Sequence, residues 1–263
     1  MDFGGRVVLV TGASSGIGRE AALAFARRGA VLVAIARRRD RLESLAGKIR
    51  EEGGRALVLS CDVSRQKDVA RTASKIQDEL GCPDVVVNNA GFAKFGTVLD
   101  MDVSEMEAQM STNYFGMIHV TKAFLPEMVR RRSGHIVNVA SLAASFGLPG
   151  AAPYCASKSA MLGFSEGLRH ELVGTGVGVT VVSPIMVRTE FLGDVTLKGR
   201  YTISVRKVVE AILQASSSSR AEITVPTMAR IAVWAKHSIP FLTDALVSRA
   251  FRNSMQHWQD GAP

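Results

Sequence analysis

The sequence predicts an α/β fold, a doubly wound parallel β-sheet flanked by helices on both faces, followed by a C-terminal amphipathic helical extension. Three observations predict it. Short apolar runs alternate with helically spaced segments through the first two thirds of the 263 residues, as in successive βαβ units. These runs are rich in Val and Ile, which suits buried parallel strands. A glycine-rich turn joins the first run to the first helical segment.

The elements follow from the periodicity of apolar residues. Predicted strands cover 6–10, 31–36, 56–60, 84–88, 135–140, 177–182 and 222–226. Predicted helices cover 18–28, 40–52, 69–80, 106–131 and 152–173. No linker or repeat interrupts this pattern, so we expect one catalytic domain over 1–226. The segment 227–263 does not continue this alternation of strands and helices, and it is expected to be a helical extension packed on that domain.

Composition limits the class of protein. With 47% hydrophobic and 21% charged residues, the chain can bury a large core. Its three cysteines and five histidines show no metal-ligand or disulfide spacing, so we expect no metal and a reducing, cytoplasmic environment. Asp2 stands where a signal peptide would be basic. No apolar stretch approaches the roughly 18 residues of a membrane span.

The net charge of +8 could attract phosphates, nucleic acid or anionic lipid. Arginine clusters such as 37–39 and 130–132 are more often solvated surface than binding sites. We therefore expect no nucleic-acid partner, and charge alone assigns no function.

The turn after the first strand is built to hold a phosphate. It contains Gly12, Ser14, Ser15, Gly16, Ile17 and Gly18, and it opens into a helix. Glycines let backbone amides approach a pyrophosphate, and the helix N-terminus adds unpaired N–H donors and partial positive charge. Its place between strand one and helix one of a βαβ unit favours a dinucleotide site over an ordinary turn.

The spacing Gly12-x-x-x-Gly16-x-Gly18 resembles that of the short-chain dehydrogenase/reductase family, whose fold is of the Rossmann type. The resemblance extends over about residues 5 to 226 and implies further cofactor contacts. After strand three, Asp62 resembles the residue that touches the adenine amino group, with Val63 beside it. After strand four, Asn89, Ala90 and Gly91 resemble the family's cofactor-lining turn.

The end of the second strand indicates which dinucleotide binds. An acidic residue there would bond the ribose 2′-hydroxyl of NAD and repel a 2′-phosphate. This chain has Ala36 followed by Arg37 and Arg38, and a guanidinium can bind a phosphate through two hydrogen bonds. NADP(H) is therefore favoured over NAD(H), although the arginines could instead simply begin a charged helix.

The predicted reaction chemistry centres on Tyr154 and Lys158, four residues apart on one helix face. A cation near a phenol stabilises the phenolate, so Lys158 is expected to lower the pKa of Tyr154. Ser141 ends strand five and could hydrogen-bond a substrate oxygen. Asn113 lies within a long helix, where its amide could hold a backbone irregularity and a proton-relay water. By the resemblance, these four residues are the catalytic tetrad.

One position departs from the family pattern. After strand six the family usually has Pro-Gly, whereas this chain has Pro184-Ile185. The rest of the motif is intact, so Pro184, Val187 and Thr189 are expected to contact the cofactor. Ile185 could narrow the substrate side or point away from it.

The substrate pocket is expected from loops beyond the carboxyl ends of the strands. These loops cover 93–95, 142–149 and 191–201, and their apolar members include Ala143, Phe146, Leu148, Phe191 and Leu192. A hydrophobic carbonyl compound is favoured. The tail reads as two short amphipathic helices broken at Pro240. It could be a lid, a membrane-surface patch over 227–252, or, as the favoured interpretation, a cover for the core or a subunit interface.

The sequence thus predicts an NADP(H)-dependent oxidoreductase that interconverts a hydrophobic (lipid-, steroid- or xenobiotic-like) carbonyl compound and its secondary alcohol. One alternative is a 3-oxoacyl-thioester reductase, whose acidic carrier would suit the basic surface. Another is a non-catalytic NADP-binding regulatory module, against which the complete tetrad argues. The predicted helices 106–131 and 152–173 resemble the family's dimerising pair, so a homodimer or homotetramer is expected.

Overall fold

The computed structural model describes residues 2–187 and 202–259, with side chains through residue 249. The strands in these ranges are β1 (Val7–Thr11), β2 (Val31–Ala36), β3 (Arg55–Ser60), β4 (Val85–Asn88), β5 (Gly134–Val139), β6 (Val177–Pro184) and β7 (Glu222–Val225). The α-helices are α1 (Gly16–Ala26), α2 (Arg39–Glu51), α3 (Gln66–Leu80), α4 (Val103–Met110), α5 (Gly116–Arg130), α6 (Ala152–Glu171), α7 (Val205–Ala215), α8 (Ala229–Ser238) and α9 (Pro240–Gln259).

Among the described residues, the strands form one parallel sheet in the order β3-β2-β1-β4-β5-β6-β7. Val-rich strands such as β4 are buried along their whole length, because helices cover both faces of the sheet. The apolar core accordingly falls into two large clusters, one on each side. This confirms the predicted doubly wound fold. The strand order reverses between β1 and β4, and ligands bind at such a reversal, outside the carboxyl ends of the strands.

One helical prediction needs correction, and one helix was not predicted. The single helix predicted over 106–131 is instead α4, a π-helical turn at Ser111–Phe115, and α5. The side chain of Asn113, within this turn, bonds to Phe92 and Ser157, which are distant in sequence, and these bonds hold the wider turn. α7 was not predicted, although its buried Val208 and Ile212 have helical spacing. The tail does form two helices, and the second begins at Pro240 as predicted.

Candidate active site

The glycine-rich turn between β1 and α1 packs tightly against the residues that follow β4. Gly12 has φ +67°, and a Cβ there would lie 2.8 Å from Cα of Ala90. A Cβ on Gly18 would collide with the carbonyl oxygen of Gly12 and lie 2.5 Å from Nδ2 of Asn89. Because no side chain fits at either position, the backbone amides at the N-terminus of α1 stay open to a pyrophosphate.

Thr11, the last residue of β1, fastens the turn after β4. Its Oγ1 accepts hydrogen bonds from the backbone N–H groups of Asn89 and Ala90, both at 2.9 Å. In return, Nδ2 of Asn89 donates to the carbonyl oxygen of Thr11 at 2.9 Å. Sequence reasoning placed Asn89 and Ala90 at the cofactor but gave Thr11 no role. Its position directly before Gly12 was the available signal.

Two arginines lie beside the glycine-rich turn, at the end of β2. Arg38 donates from Nη2 to Oγ of Ser14 at 3.0 Å and to Oγ of Ser15 at 2.7 Å. Arg37 is exposed and lines the same cavity edge. The two guanidinium groups and two hydroxyls therefore form one positively charged, donor-rich corner beside the phosphate cradle.

A smaller pocket of about 130 Å³ continues from this corner and is lined by Asp62, Val63 and Thr112. Oδ1 of Asp62 accepts hydrogen bonds from the backbone N–H and the hydroxyl of Ser64, at 3.0 and 2.7 Å. These bonds fix the carboxylate at the mouth of the pocket. The structure thus brings Asp62 and Val63 to the end of the cleft where the sequence placed adenine.

Tyr154 and Ser141 meet at the carboxyl ends of β5 and β6. Pro153 stands in the first turn of α6, where its fixed φ favours helix initiation, so Tyr154 follows at the very start of the helix. Burial raises the pKa of Tyr154 to about 12, and a hydrogen bond with Ser141 acts in the opposite direction. The predicted lowering of this pKa is therefore wrong for the protein alone, because desolvation outweighs the stabilising contacts.

Lys158 lies one helical turn beyond Tyr154 and is only 4% exposed. Its Nζ donates to the carbonyl oxygen of Val139 at 2.9 Å and lies 5.9 Å from the centre of the Tyr154 ring. Burial lowers the pKa of Lys158 to about 8, which leaves the ammonium mostly charged at neutral pH. The cation thus stands near the phenol but is directed at the main chain of β5.

Asn113 is completely buried within the π-helical turn. Its Oδ1 accepts from the backbone N–H of Phe92 at 2.9 Å, and its Nδ2 donates to the Phe92 carbonyl oxygen at 3.0 Å. Nδ2 also donates to Oγ of Ser157 at 2.9 Å. The predicted backbone irregularity is confirmed, and the side chain is seen to anchor the loop after β4 to α6.

Ser157 is a positioning residue that sequence reasoning missed. Its hydroxyl accepts from Asn113 and donates to the carbonyl oxygen of Tyr154 at 2.7 Å, which links two members of the predicted tetrad. Gly91 packs closely against the same residues. A Cβ there would lie 2.9 Å from Oδ1 of Asn113 and 3.6 Å from Nζ of Lys158. A serine inside the Tyr-x-x-x-Lys segment was the only sequence signal.

A cavity of about 670 Å³ opens above these groups. Its wall includes the predicted Ala143, Phe146 and Leu148, and the same cavity reaches Gly12, Ser15, Gly16, Ile17, Asn89, Ala90, Gly91, Tyr154, Lys158, Pro184 and Val187. The cradle, the apolar pocket and three members of the predicted tetrad, with Ser141, therefore share one cleft. Asn113 does not line it and lies completely buried behind Gly91. Thr189, Phe191 and Leu192 lie outside the described residues.

Ile185 also lines the cavity while packing against the core. Its backbone N–H donates to the carbonyl oxygen of Val225 at 2.9 Å, so pairing between β6 and β7 continues through this residue. The replacement of the family's glycine therefore keeps the strand path and adds an apolar side chain to the cavity wall.

Comparison with known proteins agrees with this geometry. The model of the short chain dehydrogenase family matches residues 6–198. The chain belongs to that family. Mouse epidermal retinol dehydrogenase 2 is 34% identical over 93% of this chain and 81% of its own length. The ketoacyl reductase HetN of Nostoc is 32% identical over 84% of this chain and 78% of its own.

Solved structures of family members share the architecture. A short chain dehydrogenase/reductase from Burkholderia phymatum in complex with NAD superposes with a TM-score of 0.85, at 24% identity over 92% of this chain and 96% of its own. Actinorhodin polyketide ketoreductase with NADPH has a TM-score of 0.77, at 30% identity over 84% of this chain and 95% of its own. A nicotinamide cofactor is typical of the family, and the glycine cradle and charged corner of this chain fit one.

The described part of the chain holds no group of His, Cys, Asp and Glu residues arranged to bind a metal. None of its helices is both long enough and apolar enough to cross a membrane.

Gly18→Ala is expected to close the cradle. Alanine is favoured over glycine in a helix by up to about 1 kcal/mol, but overpacking against Gly12 and Asn89 costs about 1–3 kcal/mol. We expect a net loss in the free energy of unfolding and a dinucleotide affinity reduced at least about tenfold, since the backbone must move. Urea denaturation and cofactor titration measure the two effects.

Gly47→Ala is the matched control, because Gly47 is also helical, in α2, and an added Cβ there meets nothing within 4 Å. That variant should gain about 0.5–1 kcal/mol in stability and keep its cofactor affinity. Equal behaviour of the two variants would contradict the cradle geometry.

Proposed function

We propose that this protein is an NADP(H)-dependent oxidoreductase that interconverts a hydrophobic carbonyl compound and its secondary alcohol. The observation that carries the proposal is the hydrogen-bonded pair of Tyr154 and Ser141 on the wall of the 670 Å³ cavity. Phe95, Leu142 and Phe146 are among the apolar residues that line the same cavity. The similarity to a retinol dehydrogenase supports a lipid-like, steroid-like or comparable xenobiotic substrate.

The tetrad supplies the groups that the reaction needs. When bound, the nicotinamide supplies or accepts the hydride. Tyr154 donates its phenolic proton to the carbonyl oxygen during reduction, or accepts the proton during oxidation, while Ser141 hydrogen-bonds that oxygen. Lys158 places positive charge beside the phenol, and Asn113 holds the loop after β4 in position. With its pKa raised by burial, Tyr154 is protonated at neutral pH and carries the proton that reduction consumes.

The preference for NADP(H) is supported by the corner formed by Ser14, Ser15, Arg37 and Arg38. Two guanidinium groups suit a 2′-phosphate, and no carboxylate stands at the end of β2 to repel it. The relative solved with NADPH has 30% identity to this chain. We propose Thr189, outside the described residues, as a further cofactor contact beside Val187.

Arg37→Asp is expected to reverse the cofactor preference. The carboxylate would repel the 2′-phosphate, so NADPH affinity should fall by about 10- to 100-fold, while NADH affinity should stay the same or rise. Fluorescence titration of both dinucleotides measures the change. Arg39→Asp is the control, since Arg39 is exposed and faces Glu43 on α2. An unchanged ratio of affinities in Arg37→Asp would refute the assignment.

A 3-oxoacyl-thioester reductase is the second candidate. It is favoured by the similarity to HetN and by the net charge of +8, which suits an acidic acyl carrier. A regulatory module that binds NADP without turnover is the third, and the intact tetrad argues against it. One screen separates the three: NADPH absorbance is followed with hydrophobic ketones and aldehydes and with 3-oxoacyl thioesters. Cofactor binding without any turnover would favour the module.

We also propose that the chain forms a homodimer or homotetramer, with 1–226 as the catalytic domain and 227–263 as an extension of it. Phe115, between α4 and α5, is 47% exposed. On α6, Gly163 and Gly167 leave open space at the surface, where another helix could approach closely. Light scattering after size-exclusion chromatography gives the subunit number. No nucleic-acid partner is proposed.

A further inference from the structure

The outer side of α8 and α9 carries an unusual density of exposed apolar side chains. The described part of the chain has twelve large hydrophobic residues that are exposed, and seven of them fall within 228–246. They are Met228, Ile231, Trp234, Ile239, Phe241, Leu242 and Leu246. Exposed apolar side chains concentrated in one segment in this way indicate a site of interaction with a protein or a membrane. We call these seven residues the docking face.

The residues of the docking face follow helical spacing. Ile231 and Trp234 are three apart in α8, and Leu242 and Leu246 are four apart in α9, so each pair shares one side of its helix. Trp234 is 69% exposed and Phe241 is 80% exposed. Tryptophan is enriched at membrane–water interfaces, where its ring spans the apolar and polar layers.

Basic residues are interleaved with this face. Arg230 and Arg249 are exposed, whereas Asp244 is the only acidic residue in 227–249. Lys236 is half-buried and is directed at the cleft. An amphipathic helix with aromatic and aliphatic residues on one side and Lys or Arg flanking them is the kind that lies in a bilayer surface. Anionic headgroups would be attracted to the same positive charges.

The docking face also borders the mouth of the cavity. Ala232 of α8 lines the cavity wall. Lys236 donates from Nζ to the carbonyl oxygen of Ser145, and its Nζ lies 5.3 Å from the centre of the Phe146 ring. One side of α8 therefore closes the edge of the substrate cleft while the other is exposed. An apolar compound dissolved in a surface beneath α8 would have a short path into the cavity.

We propose that the docking face binds the surface of an anionic phospholipid bilayer. The charge distribution favours a bilayer over a second copy of the chain, because a symmetric contact would bring two positively charged faces together. The proposal extends the proposed function, since a bilayer concentrates apolar carbonyl compounds beside the cleft. The test measures binding to vesicles and not enzymatic turnover. The membrane proposal can therefore fail while the proposed enzymatic activity stands.

Sedimentation with vesicles tests the proposal. The full chain is mixed with phosphatidylcholine vesicles that contain either no anionic lipid or about one third phosphatidylglycerol. We expect binding to the anionic vesicles that weakens in high salt. The double variant Trp234→Ser/Phe241→Ser should bind about tenfold more weakly. Val173→Ser is the matched control, because Val173 is 79% exposed but precedes the amino end of β6, whereas the docking face follows the carboxyl end of β7.

Tryptophan fluorescence gives a second, local readout. The chain has two tryptophans, so Trp258→Phe leaves Trp234 as the single reporter. Its emission should shift to shorter wavelength with anionic vesicles and be quenched by brominated lipid. Equal dinucleotide affinity in all variants shows that they are folded.

Three results would overturn the proposal. The first is no binding of the full chain to anionic vesicles, and the second is equal binding by the double variant. The third is a change in subunit number caused by the double substitution, in a chain that does not bind vesicles. That result would make the docking face an interface between copies of the chain.

Discussion

Tyr154→Phe is expected to lower kcat for carbonyl reduction by about 10³-fold, because a general acid contributes roughly 10²–10⁴-fold. Phenylalanine keeps the ring and removes only the hydroxyl that supplies the proton. Ser141 would remain as a hydrogen-bond donor to the carbonyl oxygen, which explains why some rate should persist. Dinucleotide affinity should change by less than about threefold, since the loss is confined to the transition state. Stopped-flow measurement of NADPH oxidation and a separate cofactor titration test both expectations.

Tyr114→Phe provides the matched control, because it also removes one phenolic hydroxyl from a half-buried ring. The ring of Tyr114 packs edge-on against Phe115 and Phe164, so the apolar contacts would survive. That variant should retain wild-type kcat within about twofold, as a substitution that leaves the packing intact. If the Tyr154→Phe enzyme were as active as the Tyr114→Phe control, the phenol of Tyr154 would be ruled out as the proton donor.

Much of the fold was predictable because the sheet is parallel and buried on both sides. Each strand is then a short run of β-branched residues, and each crossover helix shows an apolar stripe. The observed β2 has the predicted bounds, Val31–Ala36, and every other predicted strand boundary lies within two residues of the observed one. α7 was missed although its apolar positions repeat with a helical period, so its omission was a failure of interpretation rather than of signal.

The site was predictable in its residue types but not in its long-range bonds. A motif specifies which side chains are present, whereas the bonds from Asn113 to Phe92 and Ser157 join residues 21 and 44 positions apart. The pKa of Tyr154 illustrates the same limit. The spacing to Lys158 suggested a lowered pKa, but the effect of burial depends on every element around the phenol, and only the folded structure supplies those.

Lys158→Met is expected to lower kcat/KM by about 10²–10³-fold, since it removes a fixed positive charge from a site with little access to water. The pH dependence of the activity should also report the ionisation of Lys158. In the wild type, activity that needs the ammonium should fall as pH rises through about 8, where Lys158 loses its proton. The residual activity of the variant should lack that step. Lys122→Met on α5, where Lys122 is exposed, is the control and should behave as the wild type does.

The same substitution, which lowers activity, is expected to favour the folded state at neutral pH. The pKa of Lys158 is about 8 in the folded protein, against 10.5 for an unperturbed lysine side chain. Between these values the unfolded chain binds more protons, so the free energy of unfolding of the wild type rises with pH through this window. Below pH 8 the full cost of burying the charge is present, up to about 3 kcal/mol at 1.36 kcal/mol per pKa unit. Methionine removes that cost but leaves the carbonyl oxygen of Val139 without its donor, which costs about 1–3 kcal/mol.

We therefore expect Lys158→Met to match or exceed the wild type in stability at pH 7 and to fall below it near pH 10. Urea denaturation at both values measures the crossover. A constant difference between the two proteins across this range would show that Lys158 keeps its ordinary pKa. The phenol of Tyr154 would then have a fully charged neighbour at every working pH, and the fall in activity near pH 8 would need another source.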